Sequence, residues 1–207
     1  SNRKLFKDNR LLGNIDAFLS IFKPYSQLNT LTSEKGTFTS ASETFTQDSI
    51  FSFVEDNFKE NSEYFICDDL GKEWADHIGL YKDNISFYHS KYKDSSFSAS
   101  AFQDIIGQAQ KNLGNLSPTK NQWPMKENLW SNKYRINETQ TNISRIRKGD
   151  SSNNAINYFK KLRTLPNLSK NIYLVVNFIS KKDLTDRLEK LKNGETFRER
   201  NEVIQIL

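Results

Sequence analysis

Between residues 64 and 92 the apolar pattern runs with period two through three short segments, YFICDD (64–69), EWADHIGL (73–80) and NISFYHSKY (84–92). A period of two sends alternate side chains to opposite faces, which is how strands read in sequence. The connections LGK and KDN are turn-rich and too short for a crossover, so the three strands are expected to fold as an antiparallel meander. The rest of the chain has to pack around that sheet.

The flanking segments carry helical spacing instead. Asp48 has the side chain to N-cap a helix whose stripe is Ile50, Phe51, Phe53, Val54 and Phe58. A second helix is expected from about Ser100 to Leu113. There Ser100 and Gln103 have capping-box spacing, Phe102, Ile105, Ile106, Ala109 and Leu113 form the stripe, and Gly114 stands at the end. Helices are also expected at 153–164 and around 181–192, and NEVIQIL (201–207) reads as the start of another element. NIYLVVNFI (171–179) is apolar on both faces and predicts a central, fully buried strand.

Residues 1–32 show helix-like apolar spacing up to Pro24, and SEKGTFTSASETFTQDS (33–49) reads as a loop and an internal boundary. Residues 115–152 are polar and irregular, and their basic segment KYRINETQTNISRIRKGD (133–150) reads as a strand pair or an excursion from the core. The expected organisation is therefore a helical arm with a Ser/Thr-rich loop at 1–47 and an α/β domain at 48–207. The core of that domain lies at 48–114 and 153–192, an insertion at about 115–152, and helices flank a mixed central sheet.

Composition narrows the classes. With 15 Phe and 8 Tyr among 207 residues, the chain has apolar mass enough for a sizeable core. Cys67 is the single cysteine, which leaves no internal disulfide framework or Cys-rich zinc site and predicts a reducing, cytoplasmic setting. No run approaches the roughly 18 apolar residues of a membrane helix, so no membrane partner is expected. The net charge of +5 is compatible with a polyanionic partner and equally with a solvated lysine-rich surface. Phosphate-loop, dinucleotide-binding and zinc-protease motifs are missing, and the only histidines are His77 and His89.

Alternation puts Trp74, Asp76, Ile78 and Leu80 on one face of the second strand and Ile85, Phe87, His89 and Lys91 on one face of the third. A hairpin with a two-residue loop at Lys82-Asp83 or Asp83-Asn84 sets Asp76 opposite His89 or Lys91. A carboxylate, an imidazole and an ammonium on an otherwise apolar face are costly to bury without partners or purpose. Two readings follow: a catalytic cluster, or a cross-strand Asp76–Lys91 ion pair with His89 as a satisfied neighbour. Asp68, Asp69 and Glu73 lie beside the first turn, where they either shape it or supply a further carboxylate.

The strings DDLGKEWADHI, FYHSKYK and GQAQKNLG, in that order, resemble the PD-(D/E)XK (restriction-endonuclease-like) nucleases, most of all their Mrr-type branch. They are similar to a nuclease-type domain of bacterial restriction and phage-defence proteins that often stands beside helicase modules. The similarity is tight over about residues 64–114. It implies an αβββαβ core, Mg²⁺ or Mn²⁺ as cofactor, Asp76 as a metal ligand and Lys91 as the lysine that activates water and stabilises the phosphorane. His89 stands where the family has Glu, Asp or Gln, which implies a stronger Mn²⁺ preference or a water-positioning role. Gln108 matches a glutamine on the following helix.

The expected function is thus a metal-dependent endonuclease acting on DNA in antiviral defence. The alternative is an inactive nucleic-acid-binding or assembly module of the same fold. Catalytic candidates are Asp76, His89, Lys91, Gln108 and Glu73, and metal-ligand candidates are Asp76, His89 and Asp69. Phosphate-contact candidates are Lys133, Arg135, Arg145, Arg147, Lys148, Lys160, Lys161 and Arg163. Expected partners are DNA, with RNA as an alternative, a helicase or other defence-system subunit, and a second copy in a dimer.

Overall fold

The computed structural model of the chain describes residues 14–95 and 97–207, so the helical reading of residues 1–13 lies outside the described residues. The meander forms from β1 (Tyr64–Cys67), β2 (His77–Leu80) and β3 (Asn84–Lys91). Ile66 pairs with Ile78, and Ile78 with Phe87, in antiparallel register. The β2–β3 hairpin closes on a two-residue loop, Lys82-Asp83, with Tyr81 N–H donating to the Asn84 carbonyl at 2.9 Å.

Two more strands complete a mixed five-stranded sheet. β6 (Ile146–Lys148) runs antiparallel to β1, and β7 (Ser169–Val176) runs parallel to β3, giving the order β6-β1-β2-β3-β7. The remaining pair, β4 (Lys133–Ile136) and β5 (Thr139–Ser144), makes a separate hairpin. The 115–152 segment therefore supplies both a strand pair and, in β6, an edge strand of the main sheet. β7 is likewise an edge strand and mostly half-buried, not central and fully buried. Its two-sided apolarity has another cause: Tyr173 and Val175 pack toward one layer of helices, Leu174 and Val176 toward another.

Helices cover both faces of the sheet. Strand alternation sends Ile66, Ile78, Leu80, Ile85 and Phe87 to one side, where Trp74, Trp123 and Trp130 meet Ile156 and Phe159 of α5 (Ser152–Leu162). Trp123 and Trp130 belong to α4 (Trp123–Ser131). On the other side Phe65 and Tyr88 pack under Ile50, Phe53 and Val54 of α2 (Ile50–Phe58). Each such fully buried apolar side chain contributes about 1.5–3 kcal/mol.

α3 (Ala99–Asn112) packs against β7 and the C-terminal α7 (Arg200–Ile206), while α6 (Lys181–Lys192) buries Leu184, Leu188 and Leu191 against α1 (Ile15–Ser20). No described helix is long and apolar enough to cross a membrane.

The caps differ by one or two residues from the sequence reading. Ser49, not Asp48, caps α2 by accepting from Ser52 N–H at 3.1 Å, and Asp48 instead accepts from the Thr32 hydroxyl. Ser98, not Ser100, caps α3 by accepting from Ala101 N–H at 3.3 Å. Gly114 does not end that helix, because the chain runs on into a 3₁₀ turn at Leu113–Leu116. Several neighbouring Ser and Asp side chains can each accept from the first turn, and packing of the stripe selects among them.

Two buried charge groups tie distant segments together. Lys126 on α4 is fully buried, its ammonium 2.6 Å from the Asp68 carboxylate and 4.7 Å from the Trp74 ring centroid. Asp68 also accepts from Trp130 Nε1 at 2.6 Å and from Trp74 N–H at 2.7 Å. On the other side Glu55 of α2 accepts from Arg147 of β6 at 2.6 and 3.0 Å and lies 3.5 Å from His77 Nε2. Burial works against the Glu55 carboxylate, but His77 and Arg147 outweigh it and bring its pKa down to about 2.

Replacing Lys126 by Met should cost about 3–5 kcal/mol in urea unfolding, since it strands a buried carboxylate. Adding Asp68→Asn to that variant should recover part of the loss. The Glu55 contribution should have the opposite pH sense to a histidine's, because its folded pKa is depressed. It is complete above the unfolded value near 4.5 and fades as pH falls toward about 2. The stability gap between wild type and Glu55→Gln, followed by thermal melting, should narrow across that window.

Candidate metal centre

The nine residues between β1 and β2, DDLGKEWAD, hold Asp68, Asp69, Glu73 and Asp76. The backbone reverses through Leu70 (φ 71°) and Gly71 (φ 87°), both in the left-handed region. Glycine enters it freely, whereas leucine does so at a cost of about 1–3 kcal/mol, a kind of strain that clusters at functional sites. The turn is held by Leu70 N–H donating to the Glu73 carboxylate at 3.0 Å, which folds Glu73 back toward Asp69. The Asp68 N–H donates to the Asp76 carbonyl at 2.9 Å, and the Asp76 N–H donates to the Tyr88 carbonyl at 3.1 Å.

This geometry gathers three carboxylates. One oxygen each of Asp69, Glu73 and Asp76 lies within 4.8 Å of the other two. Asp69 and Asp76 are only 2% and 9% exposed, and Glu73 is half-buried. Asp69 accepts from the Tyr134 hydroxyl at 2.7 Å and from the Lys35 ammonium at 2.8 and 2.9 Å. Asp76 accepts from Ser90 N–H at 2.6 Å.

Burial, reinforced by Asp69 and Glu73, pushes the Asp76 carboxyl well above the usual range, and burial also raises Glu73. For Lys35 burial opposes the charge, but Asp69, Asp76 and Glu34 more than offset it and the net direction is upward. Glu73 and Asp76, desolvated and with raised proton affinity, are short of positive charge. All-oxygen donors of this kind fit a hard divalent ion such as Mg²⁺ or Mn²⁺.

The strand-face reading for Asp76 needs correction. The β2–β3 ladder ends at His77↔Tyr88, so Asp76 lies in a bend just outside it, and alternation does not govern its direction. Its carboxylate instead bonds the backbone of Ser90, the residue between His89 and Lys91. His89 lies beside Leu174 of β7, is 2% exposed, and among the described residues has no hydrogen-bond partner at Nε2. Burial lowers its pKa to about 4, so the imidazole is neutral at physiological pH. It is not one of the three grouped ligands; Glu73 is.

Lys91 lies beside Val176, half-buried, and among the described residues its ammonium makes no hydrogen bond or ion pair. The cross-strand Asp76–Lys91 pair is therefore absent among the described residues. Gln108 is exposed on α3.

The basic residues divide by location. Arg145 is buried, donates to the Cys67 and Asp69 carbonyls at 3.2 and 2.7 Å, and stacks over Tyr134. Arg147 is committed to Glu55, and the half-buried Lys148 donates to the Glu60 carbonyl. Arg163 donates to the Pro118 carbonyl at 2.9 Å although exposed. Lys133, Arg135, Lys160 and Lys161 are exposed. Arg145 and Arg147 thus face inward and are not phosphate contacts, because clustering in sequence does not distinguish a guanidinium facing solvent from one bonded to carbonyls or a carboxylate.

Lys35 is the site residue that sequence reasoning missed. Its one signal is that it is the single basic residue in the Ser/Thr-rich stretch 33–49. A cleft of about 580 Å³ lies elsewhere, along β7, lined by residues such as Tyr25, Phe58, Tyr173, Val176 and Lys181. Comparison of the chain with protein-family models, with curated proteins and with solved structures finds no match.

Proposed function

We propose that this chain is a divalent-metal-dependent nuclease domain that hydrolyses DNA phosphodiesters, as the effector part of a bacterial restriction or phage-defence system. The observation that carries this reading is the convergence of Asp69, Glu73 and Asp76 on one point, tied through Ser90 to the His89-Ser90-Lys91 end of β3. With the elements of 113–162 set aside as an insertion between α3 and β7, the order α2, β1, β2, β3, α3, β7 supports it, since it is the order of the αβββαβ core that the sequence motifs resemble.

Asp69, Glu73 and Asp76 would hold a Mg²⁺ or Mn²⁺ ion, which when bound polarises the phosphate and acidifies the attacking water. The protein's own groups supply the remaining parts. Glu73, half-buried where Asp69 and Asp76 are buried, is the ligand nearest to solvent and so to the attacking water. The Lys91 ammonium brings a positive charge to the developing phosphorane. Lys133, Arg135, Lys160 and Lys161 are the exposed cations for backbone phosphates.

A binding-only module is the second reading, favoured by the Lys35–Asp69 ion pair, which neutralises part of the cluster without any metal.

Supercoiled plasmid should be nicked or linearised with Mg²⁺ or Mn²⁺, and EDTA should abolish the reaction. Asp76→Asn and Lys91→Ala should each slow it by about 10²-fold or more, with the melting temperature of Lys91→Ala near wild type. Wild type that binds plasmid yet leaves it intact with either ion would select the binding module. His89→Gln should leave the order of metal preference unchanged, because three carboxylates and not the imidazole hold the ion. A reversal of Mg²⁺ and Mn²⁺ preference in that variant would return His89 to the ligand set.

A further inference from the structure

Lys35 reaches the carboxylate cluster from outside the meander, and its backbone is held from two directions. Ile50 and Phe51 N–H donate to the Ser33 and Glu34 carbonyls, each at 3.0 Å, which pins the segment to the first turn of α2. The Glu34 carboxylate accepts from Tyr92 N–H at 3.3 Å, which pins it to the residue following β3. From that base the side chain, 19% exposed, lays its ammonium 5.3 Å from the Phe51 ring and across both oxygens of Asp69. Among the described residues the only other carboxylate paired with it is Glu34, at 3.9 Å.

Resting on the reading of Asp69, Glu73 and Asp76 as metal ligands, we propose that Lys35 is a resident cation that a divalent ion must displace from Asp69, and that it thereby sets the metal affinity of the site. An ammonium and a divalent ion cannot share the same carboxylate oxygens without bringing like charges together where water screens poorly. The lysine stem is flexible and its donors rotate, so the ammonium can leave Asp69 while the pinned backbone stays in place. Tyr134 keeps its hydroxyl on Asp69 and holds the carboxylate in position through the exchange. Without metal, Lys35 keeps the cluster from standing as uncompensated buried charge. With metal, the same pair is the interaction that has to be broken.

A purely structural ion pair predicts something different. Removing its cation would lower stability and leave metal affinity unchanged or weaker, whereas removing a competitor tightens it. Mn²⁺ binding to the full chain, measured from the free-ion paramagnetic resonance signal at pH 8, separates the two. Lys35→Met should bind Mn²⁺ at least about tenfold more tightly than wild type, and Lys35→Arg, which restores a cation, should lie much nearer wild type. Affinity in Lys35→Met equal to or weaker than wild type would overturn the inference while leaving the metal centre standing. Absence of Mn²⁺ binding in wild type and both variants would instead remove the metal centre, and the inference with it.

Should Lys35→Met fail to fold, the wild-type ammonium resonance can be followed by ¹H–¹⁵N NMR during a Ca²⁺ titration, assigned with Lys35→Arg. It should shift or broaden into solvent exchange as the site fills. A Lys35 resonance unmoved at saturating Ca²⁺ would overturn the inference.

Discussion

Four carboxylates in one nine-residue connection, three of them almost without solvent, impose an electrostatic demand that organises much of the molecule. A buried charge without a partner costs several kcal/mol, so each has to be met by donors from elsewhere in the chain. Asp68 draws Lys126 and Trp130 from α4, Asp69 draws Lys35 and Tyr134, Asp76 takes the Ser90 N–H of β3, and Glu73 takes the turn's own Leu70 N–H. The β1–β2 connection is in this sense the centre to which the Ser/Thr-rich loop, the meander and the 115–152 segment are all attached.

This explains why a polar, irregular stretch such as 115–152 packs so closely. It reaches the sheet at three places: Trp123, Trp130 and the buried Lys126 on one face, Tyr134 and Arg145 at the Asp69 end, and β6 along the free edge of β1. Arg145 serves the turn twice over, its guanidinium bonding the Cys67 and Asp69 carbonyls while its own carbonyl accepts from Cys67 N–H at 2.8 Å. The carboxylates differ in how far they are compensated. Asp68 has an ammonium and two N–H donors and is a structural group, while Asp76 has one backbone donor and a strongly raised proton affinity. Asp69 stands with Asp68 in this respect, since Lys35 and Tyr134 meet it, so the shortage of donors falls on Asp76.

Much of the fold could be read from local pattern. Period two over 64–92 and helical stripes at 50–58 and 102–109 report which faces are buried, and burial is what those patterns encode. In β7, apolar residues on both faces report that both faces are covered, and say nothing about whether a strand has one neighbour or two. The alternation ends at His77, where a bend breaks the ladder, so it does not set the direction of the Asp76 side chain.

The sequence by itself determined the meander, its two-residue hairpin loop, the main helices and the placing of Asp68, Asp69 and Glu73 beside the first turn, because each depends on residues close together in the chain. Only the tertiary structure decided that Lys35 joins that turn, that Arg145 and Arg147 point inward, and that His89 is a buried neutral imidazole. These are contacts over long sequence separations, set by which buried charge could find a partner when the layers closed. No local pattern records that choice.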